Sequence, residues 1–122
     1  MNRKSLGIYI HIPFCVQKCL YCDFVSGVGN EDMMKNYVNK LLDEIDSFIG
    51  DKDEKLKVDT IFFGGGTPSV LPAFMIDEIL CKLKSVFAVE EDGEISIEVN
   101  PGTADKEKLD AYRKMGINRL SI

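Results

Sequence analysis

Apolar positions recur along this 122-residue chain with two alternating periods, and the switches between them mark its elements. GIYIHI (7–12), VDTIFF (58–63) and EISIEV (94–99) are short, β-branched or aromatic runs, each closed by Pro or Gly, and read as strands. Between them the period lengthens. Met34, Tyr37, Val38, Leu41, Leu42, Ile45, Phe48 and Ile49 keep a helical spacing. That helix is expected to start at an Asn30 cap followed by Glu31 and Asp32, and to stop at Gly50. The charged tract DKDEKLK reads as a solvated connection. Met75, Ile76, Ile79, Leu80, Leu83 and Val86 predict a second helix from Pro72 to about Phe87. DKEKLDAYRKM (105–115) predicts a third, closed by Gly116, and INRLSI begins a fourth strand. No internal repeat or low-complexity segment interrupts this series.

Strands alternating with helices imply βαβ units and a parallel sheet, hence an α/β fold. Period-two patterning refines that expectation. Ile8, Ile10 and Ile12 share one face of the first strand, opposite Tyr9 and His11. Ile95, Ile97 and Val99 likewise oppose Ser96 and Glu98. A parallel sheet covered on both faces should be apolar on both. One polar face per strand predicts a barrel-like wrap with polar groups toward a lumen and helices on the outside. The series ends within a strand, so the 122 residues are expected to be the N-terminal portion of a longer barrel domain.

Charge and composition narrow the partners. Fifteen Lys and Arg against twenty Asp and Glu give a net charge of −5 with no basic stripe, which argues against a nucleic-acid backbone as the main partner. No apolar run is long enough for a transmembrane helix, and MNRKSLGIYIHIPF lacks the sustained apolar region of a signal peptide. A cytoplasmic location is expected, where thiols stay reduced.

That expectation bears on CVQKCLYC, which puts Cys15, Cys19 and Cys22 just beyond the first strand, at the end where α/β folds collect ligands. Three thiolates suit a cubane iron–sulfur cluster whose fourth iron stays open to an exchangeable ligand. A Cys3His zinc site with His11, awkwardly placed on a strand, and unligated thiols are the alternatives. Cys81, in the second helix and without a cysteine partner, reads as an inert helix residue. GGGTPS (64–69) ends the second strand. Its glycines would let a ligand approach the backbone, or would simply serve a tight turn. The run is neither a Walker loop nor a GxGxxG fingerprint. Glu98 is a carboxylate on the presumed lumen face, where a cationic or hydrogen-bonding ligand would offset its desolvation.

The cysteine spacing, with an aromatic residue before the last cysteine, resembles the signature of the radical S-adenosylmethionine (SAM) enzymes. YIHIPFC…KCLYCDF, FFGGGTPS, IEVNPGT and GINRLSI together, spanning essentially the whole chain, resemble the branch of coproporphyrinogen dehydrogenases (HemN) and HemW-type haem chaperones. This resemblance implies a partial (β/α)6 barrel, of which the chain would supply three βα units and a fourth strand. It also implies a [4Fe-4S] cluster held by Cys15, Cys19 and Cys22, with SAM chelating the open iron. Gly65, Gly66 and Thr67 would receive the SAM amino group, Glu98 and Tyr9 would contact SAM, and Tyr21 would pack on the adenine. His11 also matches the branch, without an implied role. One-electron cleavage of SAM, with electrons from a donor such as flavodoxin or ferredoxin, would follow. Two departures separate this chain from the dehydrogenases: Phe24 stands where they carry a further cysteine, and their extension ahead of the first strand is absent. Both point to the HemW-type group, associated with haem binding and delivery, so that haem or a porphyrinogen would be the partner, through regions beyond Ile122. Radical decarboxylation of coproporphyrinogen is the alternative, and a zinc-stabilised binding module a weaker one. The 122 residues alone are expected to bind a cluster poorly and to have no turnover.

Overall fold

A computed structural model of the chain describes residues 6–14, 31–48 and 55–122. Seven principal elements follow in order: β1 (Leu6–Ile12), α1 (Glu31–Asp46), β2 (Lys57–Gly65), α2 (Ala73–Val86), β3 (Ala88–Glu98), α3 (Lys106–Met115) and β4 (Arg119–Ser121). Short 3-10 turns at Pro68–Val70 and Pro101–Thr103 lie at the carboxyl ends of β2 and β3.

The strands form one parallel sheet in the order β1-β2-β3-β4. Spatial order equal to chain order has a consequence. Each crossover advances by one strand in the same sense, so successive helices fall on one face. α2 indeed packs against both α1 and α3. A doubly wound sheet would reverse its order and put helices on both faces. The chain is an arc of a barrel instead, as its one-sided strand polarity predicts.

The apolar faces meet the helices. Ile10, Ile12, Ile61, Phe63, Ile95 and Ile97 are buried against Ile76, Ile79, Leu80 and Leu83 of the central helix α2. α2 has neighbours on both sides as well as beneath, which is why six of its fourteen residues are buried. α1 and α3, flanked on one side among the described elements, bury three and one. On the opposite sheet face Tyr9, His11 and Thr60 are exposed, while Ser96 is buried and Glu98 half-buried.

The limits of α1, β2 and β3 differ from those read in the sequence. α1 ends at Asp46, with Ser47 and Phe48 in a turn closed by a Phe48 N–H to Ile45 carbonyl bond of 3.0 Å. Phe48, read as part of the helical stripe, therefore lies past its last turn, and Ile49 and the caps expected at Asn30 and Gly50 lie outside the described residues. β2 runs through Gly64 to Gly65, because the Tyr9, Ile10, His11 and Ile12 partners on β1 continue the ladder that far.

β3 begins at Ala88, six residues before the expected start, and ends at Glu98 rather than Val99. Ala88 and Val89 pair with Lys57 and Val58, then the register jumps from Val58↔Val89 to Thr60↔Glu94. The acidic tract Glu90–Asp92 bulges out, which is why it reads as a loop. Gly93 lets the strand return, since a β-carbon there would stand 2.6 Å from the Asp59 carbonyl oxygen. Asn118 closes the bulge: its Oδ1 accepts the Ile95 N–H at 2.9 Å and its Nδ2 donates to the Gly93 carbonyl at 2.9 Å. Tertiary contacts at Asn118 thus convert a polar tract into strand.

α3 follows its sequence signals. Asp105 caps its first turn by accepting the Lys108 N–H at 2.8 Å, and Gly116 ends it at φ 109°.

Candidate cofactor site

The carboxyl ends of β1, β2 and β3 meet at the glycine turn. Its amides are committed to the protein. The Gly66 N–H donates to the Ile12 carbonyl at 2.9 Å and the Thr67 N–H to the Phe14 carbonyl at 2.6 Å. The Gly65 N–H donates to Oε1 of Glu98 on β3 at 3.1 Å. In a phosphate-binding loop such amides face the ligand. Here all three are used, and the Thr67 carbonyl accepts the Val70 N–H at 2.9 Å, so the charged group left beside the cavity is the Glu98 carboxylate. A carboxylate beside amides that are already consumed suits a cation.

Glycine is required here for space. Gly65 has φ 120°, and a β-carbon on it would stand 2.6 Å from the Ile12 carbonyl oxygen and 3.0 Å from the His11 ring. A β-carbon at Gly64 would meet the Phe62 ring at 2.6 Å and the Tyr9 ring at 2.9 Å. The two glycines therefore let Tyr9 and His11 lie down against β2.

A cavity of about 380 Å³ opens above the turn, lined by Gly65, Gly66, Thr67, Glu98, Asn100 and Ser121 among others. Its far wall is braced from outside. Ser69 is fully buried and its Oγ accepts the Asn100 N–H at 3.1 Å. Lys108 of α3 donates from Nζ to the Ser69 carbonyl at 2.6 Å. Burial pushes the Lys108 ammonium below its ordinary value, opposed by the Asp105 carboxylate.

Tyr9 and His11 are on the same sheet face but do not line this cavity. Tyr9 is 56% exposed, its hydroxyl 3.3 Å from Nδ1 of His11, and its ring stacks on Phe62 at a centroid distance of 5.7 Å. Of the residues singled out in the sequence, the fold gathers Gly65, Gly66, Thr67 and Glu98 in one cavity and sets Tyr9 and His11 beside it. Cys15, Cys19, Cys22 and Tyr21 lie outside the described residues, as does Phe24; the segment carrying them follows Phe14 directly in the chain. Among the described residues no group of three or more His, Cys, Asp or Glu side chains is placed to hold a metal. Cys81 is exposed on α2, as an inert helix position allows.

Phe62, Ser69, Asn100 and Lys108 were not legible as site residues. Phe62 is flanked by Ile61 and Phe63, so its strand hides which face is the lumen. Ser121 faces Glu98 across β3 and β4, a pairing that only the register creates.

A sequentially ordered parallel arc with its cavity at the strands' carboxyl ends is the architecture of barrel-type cofactor domains. Residues 9–122 match the family model of the Radical SAM superfamily, and the chain belongs to that superfamily. The superfamily as a whole works with a [4Fe-4S] cluster and SAM. The chain is 42% identical to the "Heme chaperone HemW" of Synechocystis sp., over 93% of this chain and 28% of that protein. It is 41% identical to the protein of the same name from Escherichia coli, over 100% of this chain and 32% of that one. With an "Oxygen-independent coproporphyrinogen III oxidase" of Bradyrhizobium diazoefficiens it shares 32% identity over 97% of its length and 26% of the relative's. Among solved structures, the coproporphyrinogen III oxidase (HemN) of Escherichia coli superimposes with a TM-score of 0.78 at 33% identity, over 95% of this chain and 27% of that one. The chain thus spans about three tenths of the length of the curated relatives it matches. No described helix is long and apolar enough to cross a membrane.

Proposed function

We propose that residues 1–122 are the N-terminal portion of the core domain of a HemW-type haem chaperone. In this reading Cys15, Cys19 and Cys22 hold a [4Fe-4S] cluster, while Gly65, Gly66, Thr67 and Glu98 hold the methionyl end of SAM. The observation that carries the SAM part is the Glu98 carboxylate, held at the glycine turn by the Gly65 amide. With the amides of residues 65–67 consumed, this carboxylate matches an ammonium group. The cavity beside them is of ligand size. Bound together, cluster and SAM supply one-electron cleavage of a carbon–sulfur bond. This chain's residues orient the amino group through Glu98, and Tyr9, stacked on Phe62 beside the cavity, contacts SAM from the same sheet face. Tyr21 covers the adenine.

Two observations support the haem-delivery branch: the names of the relatives at about 40% identity, and Phe24 in place of the dehydrogenases' additional cysteine. The second reading is an oxygen-independent coproporphyrinogen oxidase, supported by the superposition on HemN. Haem or a porphyrinogen is then the partner of the remaining chain, a flavodoxin or ferredoxin the electron donor, and the cytoplasm the setting.

The test is anaerobic reconstitution of the full-length protein with iron and sulfide, read by EPR after reduction with and without SAM. A reduced-cluster signal that changes on SAM addition is expected. One equivalent of zinc and no reducible cluster would overturn the reading. Stoichiometric haem binding without conversion of coproporphyrinogen distinguishes the chaperone from the oxidase.

A further inference from the structure

Three points on the stem leading into the cysteine segment are held from different parts of the fold. The Ile12 carbonyl is taken by the Gly66 amide and the Phe14 carbonyl by the Thr67 amide, both toward β2. The His11 carbonyl, one residue back from Ile12, points to the other side of the strand, where β1 has no partner strand among the described elements. There it accepts the hydroxyl of Tyr37, from α1. The Tyr37 ring also meets the buried Phe14 ring edge-on, at a centroid distance of 5.7 Å and an interplanar angle of 88°. Burial, with Glu44 and Tyr9 adding to it, raises the Tyr37 phenol above its ordinary value and so keeps it a donor. A phenylalanine at 37 would keep the ring contact and leave the His11 carbonyl without this donor.

We propose that Tyr37 is a positioning residue for the iron–sulfur cluster: its hydroxyl and ring fix residues 11–14, the stem that presents Cys15. The proposal rests on the reading that Cys15, Cys19 and Cys22 are the cluster ligands, and it extends that reading to a helix that bears none of them. Tyr37 acts through the main chain of His11 and the ring of Phe14. Gly66 and Thr67 share the task, so the turn that receives SAM also tethers the cluster segment.

The experiment compares full-length wild type, Tyr37→Phe, Phe14→Leu and, as a control on α3, Tyr112→Phe. Each is measured as apo-protein unfolding midpoint, iron release to a chelator after reconstitution, and EPR line shape of the reduced cluster. Tyr37→Phe is expected to unfold near the wild-type midpoint but to release iron about fivefold faster, the equivalent of one net hydrogen bond. Its EPR lines should broaden. Phe14→Leu, which keeps the main-chain bonds, should move iron release in the same direction, and Tyr112→Phe should not move it. Wild-type release and line shape in Tyr37→Phe, with or without a lowered midpoint, would overturn the proposal alone. A wild-type protein that assembles no reducible cluster would overturn the cysteine reading and this proposal with it.

Discussion

The carboxylate of Glu98 on β3 accepts the Gly65 amide of β2 at 3.1 Å, so the one acidic side chain that lines the cavity among the described residues is oriented by the turn beside it. Neither residue is placed by its own strand alone. Glu98 is aimed by a donor 33 residues earlier, and the donor is available because β2 and β3 are neighbours.

Glu98→Gln keeps an oxygen for Gly65 and removes the charge. SAM affinity, measured by calorimetry on reconstituted full-length protein, should fall about tenfold or more, as expected for a hydrogen bond to a charged group. The unfolding free energy should stay within about 0.5 kcal/mol. Unchanged affinity would remove Glu98 from the site.

Gly65→Ala and Gly64→Ala should differ. At 65 a side chain meets backbone at a positive φ, and neither can yield easily. A cost of about 1–3 kcal/mol is expected in urea unfolding. At 64 the obstacles are the rings of Phe62 and Tyr9, which can rotate away, so the stability cost should be smaller. An equal or larger loss for Gly64→Ala would show that the two rings are locked.

Tyr112 is 1% exposed, and its hydroxyl has no hydrogen-bond partner among the described residues. Tyr112→Phe should therefore stabilise the protein by about 1 kcal/mol, the relief of an unsatisfied buried group. Burial also raises this phenol well above its ordinary 10.0. The native state keeps the proton to higher pH than the unfolded chain, so wild-type stability is retained below pH 10 and lost above it. Thermal melts should show the variant's advantage widening above that pH; a destabilised variant would reveal a partner for the hydroxyl.

Lys108 titrates with the opposite sign. Its pKa lies below 10.5 in the folded protein, chiefly through burial, so the native state releases this proton first. In the window just below pH 10.5 the unfolded chain binds more protons, and stability contributed at this site rises with pH. The difference in unfolding midpoint between wild type and Lys108→Met should grow across that window. A constant difference would mean that the ammonium is not desolvated.

Legibility varied by element for physical reasons. α3 has its own cap and stop, Asp105 and Gly116, so it ends as read and starts one residue later, at Lys106. α1 continues its apolar stripe through Phe48 and Ile49, but a stripe specifies a face, and the backbone leaves the helix at Asp46. The first six residues of β3 look like a loop, and become strand only because Asn118 and Gly93 accommodate the bulge. In the site, Glu98 was legible through alternation. Tyr37 was read as a member of a helical stripe, and nothing local to it signals that its hydroxyl would reach His11.

What the sequence by itself determined was the alternation of periods, hence parallel βα units, and the polar inner face of β1 and β3. It also carried the motifs of the radical SAM superfamily, to which the chain belongs. Those are local properties, set by side-chain direction along a strand or helix and by residues only a few positions apart. Tertiary structure alone decided that the turn's amides point into the protein. It also decided that Glu98 is held by Gly65, that Ser121 completes the cavity wall, and that α1 grips the stem of the cysteine segment. Each of these is a hydrogen bond or register between residues more than twenty positions apart, and such pairings exist only once the sheet has chosen its neighbours.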